Sequence, residues 1–159
     1  MAERKRVTIE DGVVYGQGAG ADGSPRDLHC DVFTPEESDG PMPAVLLIHG
    51  GGWRGGDRSQ LRGYGVLVGR EGYVCVACEY RLIPEAPWPA ALEDVRAAYD
   101  WMVEHAADLG IDPERIAVEG NSAGAHLALL LAADQSRPTK ACIAVYPPVL
   151  LQHHGDGTY

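Results

Sequence analysis

The sequence lacks any apolar stretch long enough to span a membrane, and no apolar run follows the first residues. A transmembrane helix needs about 20 apolar residues, and a signal peptide needs an apolar segment near its start. Here the charged residues Glu3 to Arg6 lead directly into a strand-like pattern. These features predict a protein with no membrane partner and a cytoplasmic location.

Basic residues are also scarce: 13 Lys and Arg face 23 Asp and Glu, which gives a net charge of -10. Such a charge would repel a phosphate backbone, so we expect no nucleic-acid partner. The 159 residues are 45% hydrophobic and 23% charged, which is typical of a globular chain with its own core. No internal repeat or low-complexity linker divides the sequence, so residues 1–159 are predicted to form a single domain.

Cysteine is rare, and its spacing does not predict a metal site. Two of the four cysteines, Cys75 and Cys78, have the CxxC spacing of some metal and redox sites. They lie in a strand-like apolar run, where an offset of three points the two side chains to opposite faces. We therefore expect buried, reduced thiols, with no metal and no organic cofactor.

Apolar runs that are typical of strands alternate with segments of helical periodicity. The run from Ala44 to Ile48 is apolar at every position, as in a strand buried on both faces of a parallel sheet. The predicted strands are 7–16, 27–34, 44–48, 73–78, 116–118 and 142–145. The predicted helices are 61–72, 92–106 and 123–133. This alternation predicts an α/β fold with a mostly parallel central sheet flanked by helices.

Ser122 is the centre of the segment Gly120-Asn121-Ser122-Ala123-Gly124, where a predicted strand gives way to a predicted helix. Glycines on both sides permit a sharp, strained turn that would push the serine hydroxyl out over the sheet edge. A GxSxG pattern at such a junction is typical of a nucleophile elbow. The alternative is a glycine-rich helix entry in which Ser122 serves only as the N-cap.

A second glycine-rich segment, His49-Gly50-Gly51-Gly52-Trp53, directly follows a predicted buried strand. Consecutive glycines let backbone amides approach a ligand closely, so a phosphate site is one interpretation. The sequence has no Gly-Lys-Ser/Thr here and no GxGxxG that opens a helix, which disfavours a nucleotide. The carboxyl ends of parallel strands meet at one sheet edge, so this loop and Ser122 are expected to build one site.

Taken together, these motifs resemble the α/β-hydrolase superfamily. The similarity is to hormone-sensitive-lipase-like esterases and to the kynurenine formamidase and acetyl- or feruloyl-esterase-like hydrolases, and it runs from about residue 27 to Pro148. Besides the two glycine-rich segments, it rests on Glu79-Tyr80-Arg81-Leu82-Ile83-Pro84-Glu85, on Pro87-Trp88-Pro89-Ala90-Ala91-Leu92-Glu93-Asp94, and on Ala125-His126-Leu127-Ala128 after the elbow.

The resemblance implies an α/β-hydrolase fold without a separate cap domain and a serine carboxylesterase acting on small, short-acyl esters. Ser122 would attack the ester carbonyl, and the amides of Gly51, Gly52 and Ala123 would form the oxyanion hole. Arylformamide hydrolysis is an alternative within the same chemistry. His49 would hold the loop by hydrogen bonds. Three further residues would be scaffold groups in a surface ion network rather than catalytic residues: Arg81, Glu85 and Asp94.

The resemblance also implies an acid and a base on loops after strands 7 and 8, and the sequence lacks both strands. His126 is expected to hydrogen-bond in the core, because it lies one helical turn after Ser122. His153 or His154, with Asp156, could supply a substitute base and acid, although a solvated tail is the favoured interpretation. A second chain, paired through an exposed sixth strand in a homo-oligomer, could also supply the base.

Three hypotheses about function remain open. The first is a working esterase with such a substitute or partner-supplied base. The second is a shortened hydrolase with weak activity, since an oxyanion hole and substrate binding alone retain some catalysis. The third is a noncatalytic module that binds an ester or a carboxylate.

Overall fold

The computed structural model of the protein describes residues 5–150. Its strands are β1 (Val7–Ala19), β2 (Pro25–Pro35), β3 (Met42–Ile48), β4 (Val74–Cys78), β5 (Ile111–Asn121) and β6 (Cys142–Val145). Its helices are α1 (Arg62–Gly69), α2 (Ala90–Glu104), α3 (Ala106–Leu109) and α4 (Ala123–Ala132), and a 3-10 helix (Arg58–Leu61) precedes α1.

The strands form one six-stranded sheet in the order β1-β2-β4-β3-β5-β6. Strands β4, β3, β5 and β6 pair in parallel, whereas β1 pairs with β2, and β2 with β4, in antiparallel fashion. The predicted α/β fold with a mostly parallel sheet flanked by helices is therefore confirmed. Within residues 5–150 the sheet ends at its sixth strand, β6.

The sheet separates two hydrophobic clusters. The larger cluster packs residues of α2 and α4 against one face, and it includes Cys78. The smaller cluster lies on the α1 side and includes Cys75. The predicted opposite orientation of these two thiols is confirmed, and both are buried and free. Burial raises the pKa of Cys75 to about 12, so this thiol stays protonated and inert.

Several predicted boundaries differ from the structure; the helix predicted over 92–106, for example, is α2 followed by α3. Strand β5 begins at Ile111 rather than Ile116, because Met42 pairs with Ile111 before an irregularity in the β3–β5 register. The helix predicted over 61–72 is a 3-10 turn followed by α1, which already ends at Gly69. Gly110 ends α3 in a left-handed conformation, with φ of 66°.

In the part of the chain that the structure describes, every helix is too short or too polar to cross a bilayer. The same residues contain no group of three or more His, Cys, Asp or Glu side chains arranged to hold a metal ion.

Candidate active site

Ser122 occupies a strained turn between β5 and α4. Its φ of 52° and ψ of -119° are rare for a residue with a side chain. The turn is so tight that a Cβ on Gly120 would lie 2.3 Å from the carbonyl oxygen of Gly124. Only glycine fits at such a distance, which explains why the GxSxG spacing occurs at this junction.

The elbow packs directly against the end of β3. A Cβ on Gly124 would lie 2.1 Å from the carbonyl oxygen of Ile48, so the first turn of α4 touches the β3 backbone. A Cβ on Gly50 would lie 3.4 Å from the Cβ of Ser122. The two glycine-rich segments therefore meet at the carboxyl edge of the sheet, as their positions in the sequence predict.

We call residues 49–57, the loop after β3, the oxyanion loop because of its predicted role. It turns at Gly51, whose φ is 128° and whose carbonyl oxygen accepts hydrogen bonds from the amides of Arg54 and Gly55 at 3.1 and 3.0 Å. Among the described residues, the amides of Gly51, Gly52 and Ala123 have no hydrogen-bond partner. These three amides are thus available as hydrogen-bond donors.

His49 lies behind the oxyanion loop and is 1% exposed. Its Nδ1 lies 2.8 Å from the carbonyl oxygen of Gly50, and its ring stacks on Tyr80 with centroids 4.2 Å apart. The Tyr80 hydroxyl donates to the His49 carbonyl oxygen at 2.9 Å. Burial lowers the pKa of His49, so its imidazole is neutral at pH 7. These contacts hold the start of the loop in place.

The other end of the oxyanion loop is held by Arg58, which the sequence analysis did not single out. Its Nε donates to Asp31 and its NH1 to Glu79, both at 2.7 Å. The Asp31 carboxylate also accepts the amide of Gly12 at 2.9 Å. Nothing in the local sequence pattern signals this group, because β1, β2, β4 and the 3-10 helix each contribute part of it.

Arg81 and Asp94 form an ion pair with a scaffold role, as expected, but the predicted surface location was wrong for both. Their side chains are 10% and 3% exposed, and the guanidinium donates to both carboxylate oxygens. The Arg81 amide donates to the same carboxylate at 2.8 Å. The pair therefore fixes the segment after β4 to α2. Glu85 pairs with Arg26 and remains partly exposed.

The core role expected for His126 was also wrong. Its ring is half-buried, and its Nδ1 has no hydrogen-bond partner among the described residues. The ring instead meets the rings of Trp53 and Trp88, at centroid distances of 5.4 and 6.3 Å. The reason is that the start of α4 lies at the sheet edge, where position i+4 turns toward the loops rather than toward the core.

The partners of Ser122 that would activate it are not found in residues 5–150. No histidine in this range hydrogen-bonds to its hydroxyl, and its amide donates to the carbonyl oxygen of Val145 at 2.9 Å. His153, His154 and Asp156 lie outside the described residues. Their predicted role as base and acid therefore stays a prediction.

Comparison with known proteins places this geometry in a family. A family model described as BD-FAE matches residues 30–148, which is more than half of the chain. The chain belongs to the BD-FAE family. Both glycine-rich segments of the candidate site fall inside the matched range, as do Arg58 and the Arg81–Asp94 pair.

Relatives of this BD-FAE chain include named esterases. It is 41% identical to carboxylesterase NlhH of Mycobacterium tuberculosis over 108 residues. This matched segment covers 67% of this chain and 34% of that protein. A solved structure of a bacterial heroin esterase is 38% identical, with a TM-score of 0.71, over 84% of this chain and 42% of that one. Brefeldin A esterase, a bacterial homologue of human hormone-sensitive lipase, is 27% identical, with a TM-score of 0.72, over 92% and 41% of the two chains.

These similarities confirm the α/β-hydrolase fold and the esterase branch related to hormone-sensitive lipase. The chain spans about a third of the length of the curated relatives it matches. It matches about two fifths of the heroin esterase and brefeldin A esterase chains.

Proposed function

We propose that this protein hydrolyses small, short-acyl carboxylic esters with Ser122 as the nucleophile. One observation carries the proposal: the strained elbow at Ser122 meets the start of the oxyanion loop at the sheet edge, and amides in both segments have no hydrogen-bond partner among the described residues. Esterase relatives support the same chemistry. The cytoplasmic location stays a prediction.

In the proposed reaction, the Ser122 oxygen attacks the carbonyl carbon while a base accepts the hydroxyl proton. The negative charge that develops on the carbonyl oxygen is stabilised by the amides of Gly51, Gly52 and Ala123. Each such donor contributes on the order of 3 kcal/mol to transition-state stabilisation. The alcohol then leaves with a proton, and water releases the acid from the acyl-enzyme by the reverse proton transfers.

His49 and His126 are not our candidates for the base. Burial lowers the pKa of both histidines, so both are neutral. His49, however, lies behind the loop, where its Nδ1 contacts the Gly50 carbonyl oxygen and its ring stacks on Tyr80. His126 packs against two tryptophans. The open candidates are therefore those of the sequence analysis: His153 or His154 with Asp156, or a histidine of a second chain.

Hydrolysis of p-nitrophenyl acetate, butyrate and decanoate by the wild type and by Ser122→Ala tests the proposal. We expect turnover that is fastest with the short acyl chains and absent in Ser122→Ala, while the control Ser136→Ala keeps the wild-type rate. N-formylaniline is tested in parallel, since arylformamide hydrolysis would use the same residues. Equal rates in the wild type and Ser122→Ala would contradict the proposal.

A further inference from the structure

Three aromatic rings from three different elements meet beside the candidate nucleophile. We call Trp53, Trp88 and His126 the aromatic cluster. His126 meets Trp53 edge to face, with an interplanar angle of 86°, and meets Trp88 at 40°. The catalytic roles proposed above use none of these side chains.

The cluster adjoins Ser122 through the backbone. Trp53 directly follows Gly52 of the oxyanion loop. His126 lies one turn along α4 from Ser122, and its amide donates to the Ser122 carbonyl oxygen at 3.1 Å. Four residues of helix advance about 6 Å, and residues i and i+4 lie on the same side of a helix, so His126 follows Ser122 on one side of α4.

Trp88 forms the open side of the cluster, with 58% of its surface exposed. A single exposed tryptophan needs no explanation, but the backbone on both sides of this one is restricted. Pro87 and Pro89 flank it and restrict its backbone, and the amide of Ala90 donates to the Pro87 carbonyl oxygen at 3.0 Å. The segment is tied to the oxyanion loop as well, because the Ile83 amide donates to the Trp53 carbonyl oxygen at 2.8 Å.

We propose that the aromatic cluster binds a planar aromatic group of the substrate, and that Trp88 determines a preference for aryl over alkyl esters. This inference rests on the proposed function, because it concerns the substrate of the same site. Aromatic rings prefer edge-to-face and offset-stacked contacts, and more than half of the Trp88 surface is open to such a contact. The bound ring would lie against Trp88 while the ester carbonyl lies at Ser122.

Labelling of Ser122 by two fluorophosphonates tests the inference, one with a phenylethyl group and one with an n-octyl group. Both probes release the same leaving group, fluoride. A change in the ratio of their labelling rates therefore reports how well the phenylethyl or octyl group is bound. We expect Trp88→Ala to slow the phenylethyl probe roughly tenfold and the octyl probe less than twofold, with Trp88→Phe restoring most of the difference. The control Leu67→Ala, at an exposed site on α1, should change neither rate. An unchanged ratio in Trp88→Ala would overturn the inference.

Binding to Ser122→Ala separates this inference from the proposed function. Saturation-transfer NMR with phenyl acetate and hexyl acetate needs no reaction at Ser122. We expect transfer to the phenyl ring in Ser122→Ala, and its loss when Trp88→Ala is added. Stronger transfer to acetylcholine than to phenyl acetate would indicate a cation site and would overturn the inference. Failure of both probes to label Ser122, with ring binding intact, would contradict the proposed function alone.

Discussion

Glu119 is a buried carboxylate on β5, three residues before Ser122. Its sheet neighbours are Leu47 and Ile143, and it is 5% exposed. One of its oxygens has no hydrogen-bond partner among the described residues. Burial raises the pKa of Glu119 to about 7. The folded state therefore binds this proton more tightly than the unfolded chain does.

This raised pKa predicts that stability falls as pH rises. The contribution of neutral Glu119 is fully present below its unfolded pKa of about 4.5 and is lost as pH rises through about 7. We expect Glu119→Gln to unfold at a higher temperature than the wild type at pH 8, and at nearly the same temperature at pH 4.5. Thermal unfolding followed by circular dichroism measures this.

The exposed Glu114, also on β5, offers the matched control for that experiment. Glu114→Gln should leave the pH dependence as it is in the wild type. A wild-type unfolding temperature that rises steadily from pH 5 to pH 8 would contradict the assigned environment of Glu119.

Single residues at the site were predictable where the signal is local. The glycines around Ser122 predict a sharp turn because only a residue without Cβ fits there, and the structure shows that turn. His126 and Arg58 were not predicted correctly, because their surroundings come from segments far apart in sequence. Spacing within one helix cannot tell whether position i+4 faces a core or a pair of tryptophans.

Among the elements, the oxyanion loop depends on anchors at both ends. Arg58 fixes its end by pairing with Asp31, which is 3% exposed, and with Glu79. Removal of Arg58 would leave a buried carboxylate with fewer partners. We expect Arg58→Ala to lower the free energy of unfolding by about 1–3 kcal/mol and to slow labelling of Ser122.

Arg62 is the control for this prediction, because its ion pair with Asp11 is exposed on both sides. We expect Arg62→Ala to leave the free energy of unfolding in urea denaturation nearly unchanged. Equal effects of the two substitutions would show that Arg58 does not anchor the loop.

The close contact between α4 and β3 leads to a second prediction about the secondary-structure elements, this time about stability alone. A methyl group on Gly124 would meet the Ile48 carbonyl oxygen, so we expect Gly124→Ala to cost about 3 kcal/mol or more of stability. Gly63 of α1 faces open space, and Gly63→Ala should be neutral or stabilise by up to about 1 kcal/mol. Urea denaturation of both variants compares them. A neutral Gly124→Ala would contradict the close approach of the two segments.

For the whole molecule, the order of strands and helices was predictable because apolar runs and helical spacing alternate clearly. The pairing order of the sheet was not predicted, because periodicity does not state which strands are neighbours. The start of β5 was missed, because residues 111–115 pair irregularly and contain a turn-like Asp112-Pro113.

Strand β6 is an edge strand of the sheet within residues 5–150. Two of its apolar side chains, Ile143 and Val145, are 49% and 38% exposed. The sequence predicts association of two copies through this strand. We expect light scattering coupled to gel filtration to show a dimer that Val145→Lys converts to a monomer, while Leu67→Lys on α1 does not. A monomeric wild type at all concentrations would contradict the prediction and exclude a base from a second copy.

The central claim for the molecule is that Ser122 is a nucleophile beside an oxyanion hole. Reaction with an alkyl fluorophosphonate, followed by peptide mass spectrometry, tests it most directly, because the reagent forms a covalent bond with an activated serine. We predict one modified peptide, carrying the phosphonate on Ser122, and no modification in Ser122→Ala. Modification of another serine such as Ser59 at the same rate, or none in the folded protein, would contradict the claim.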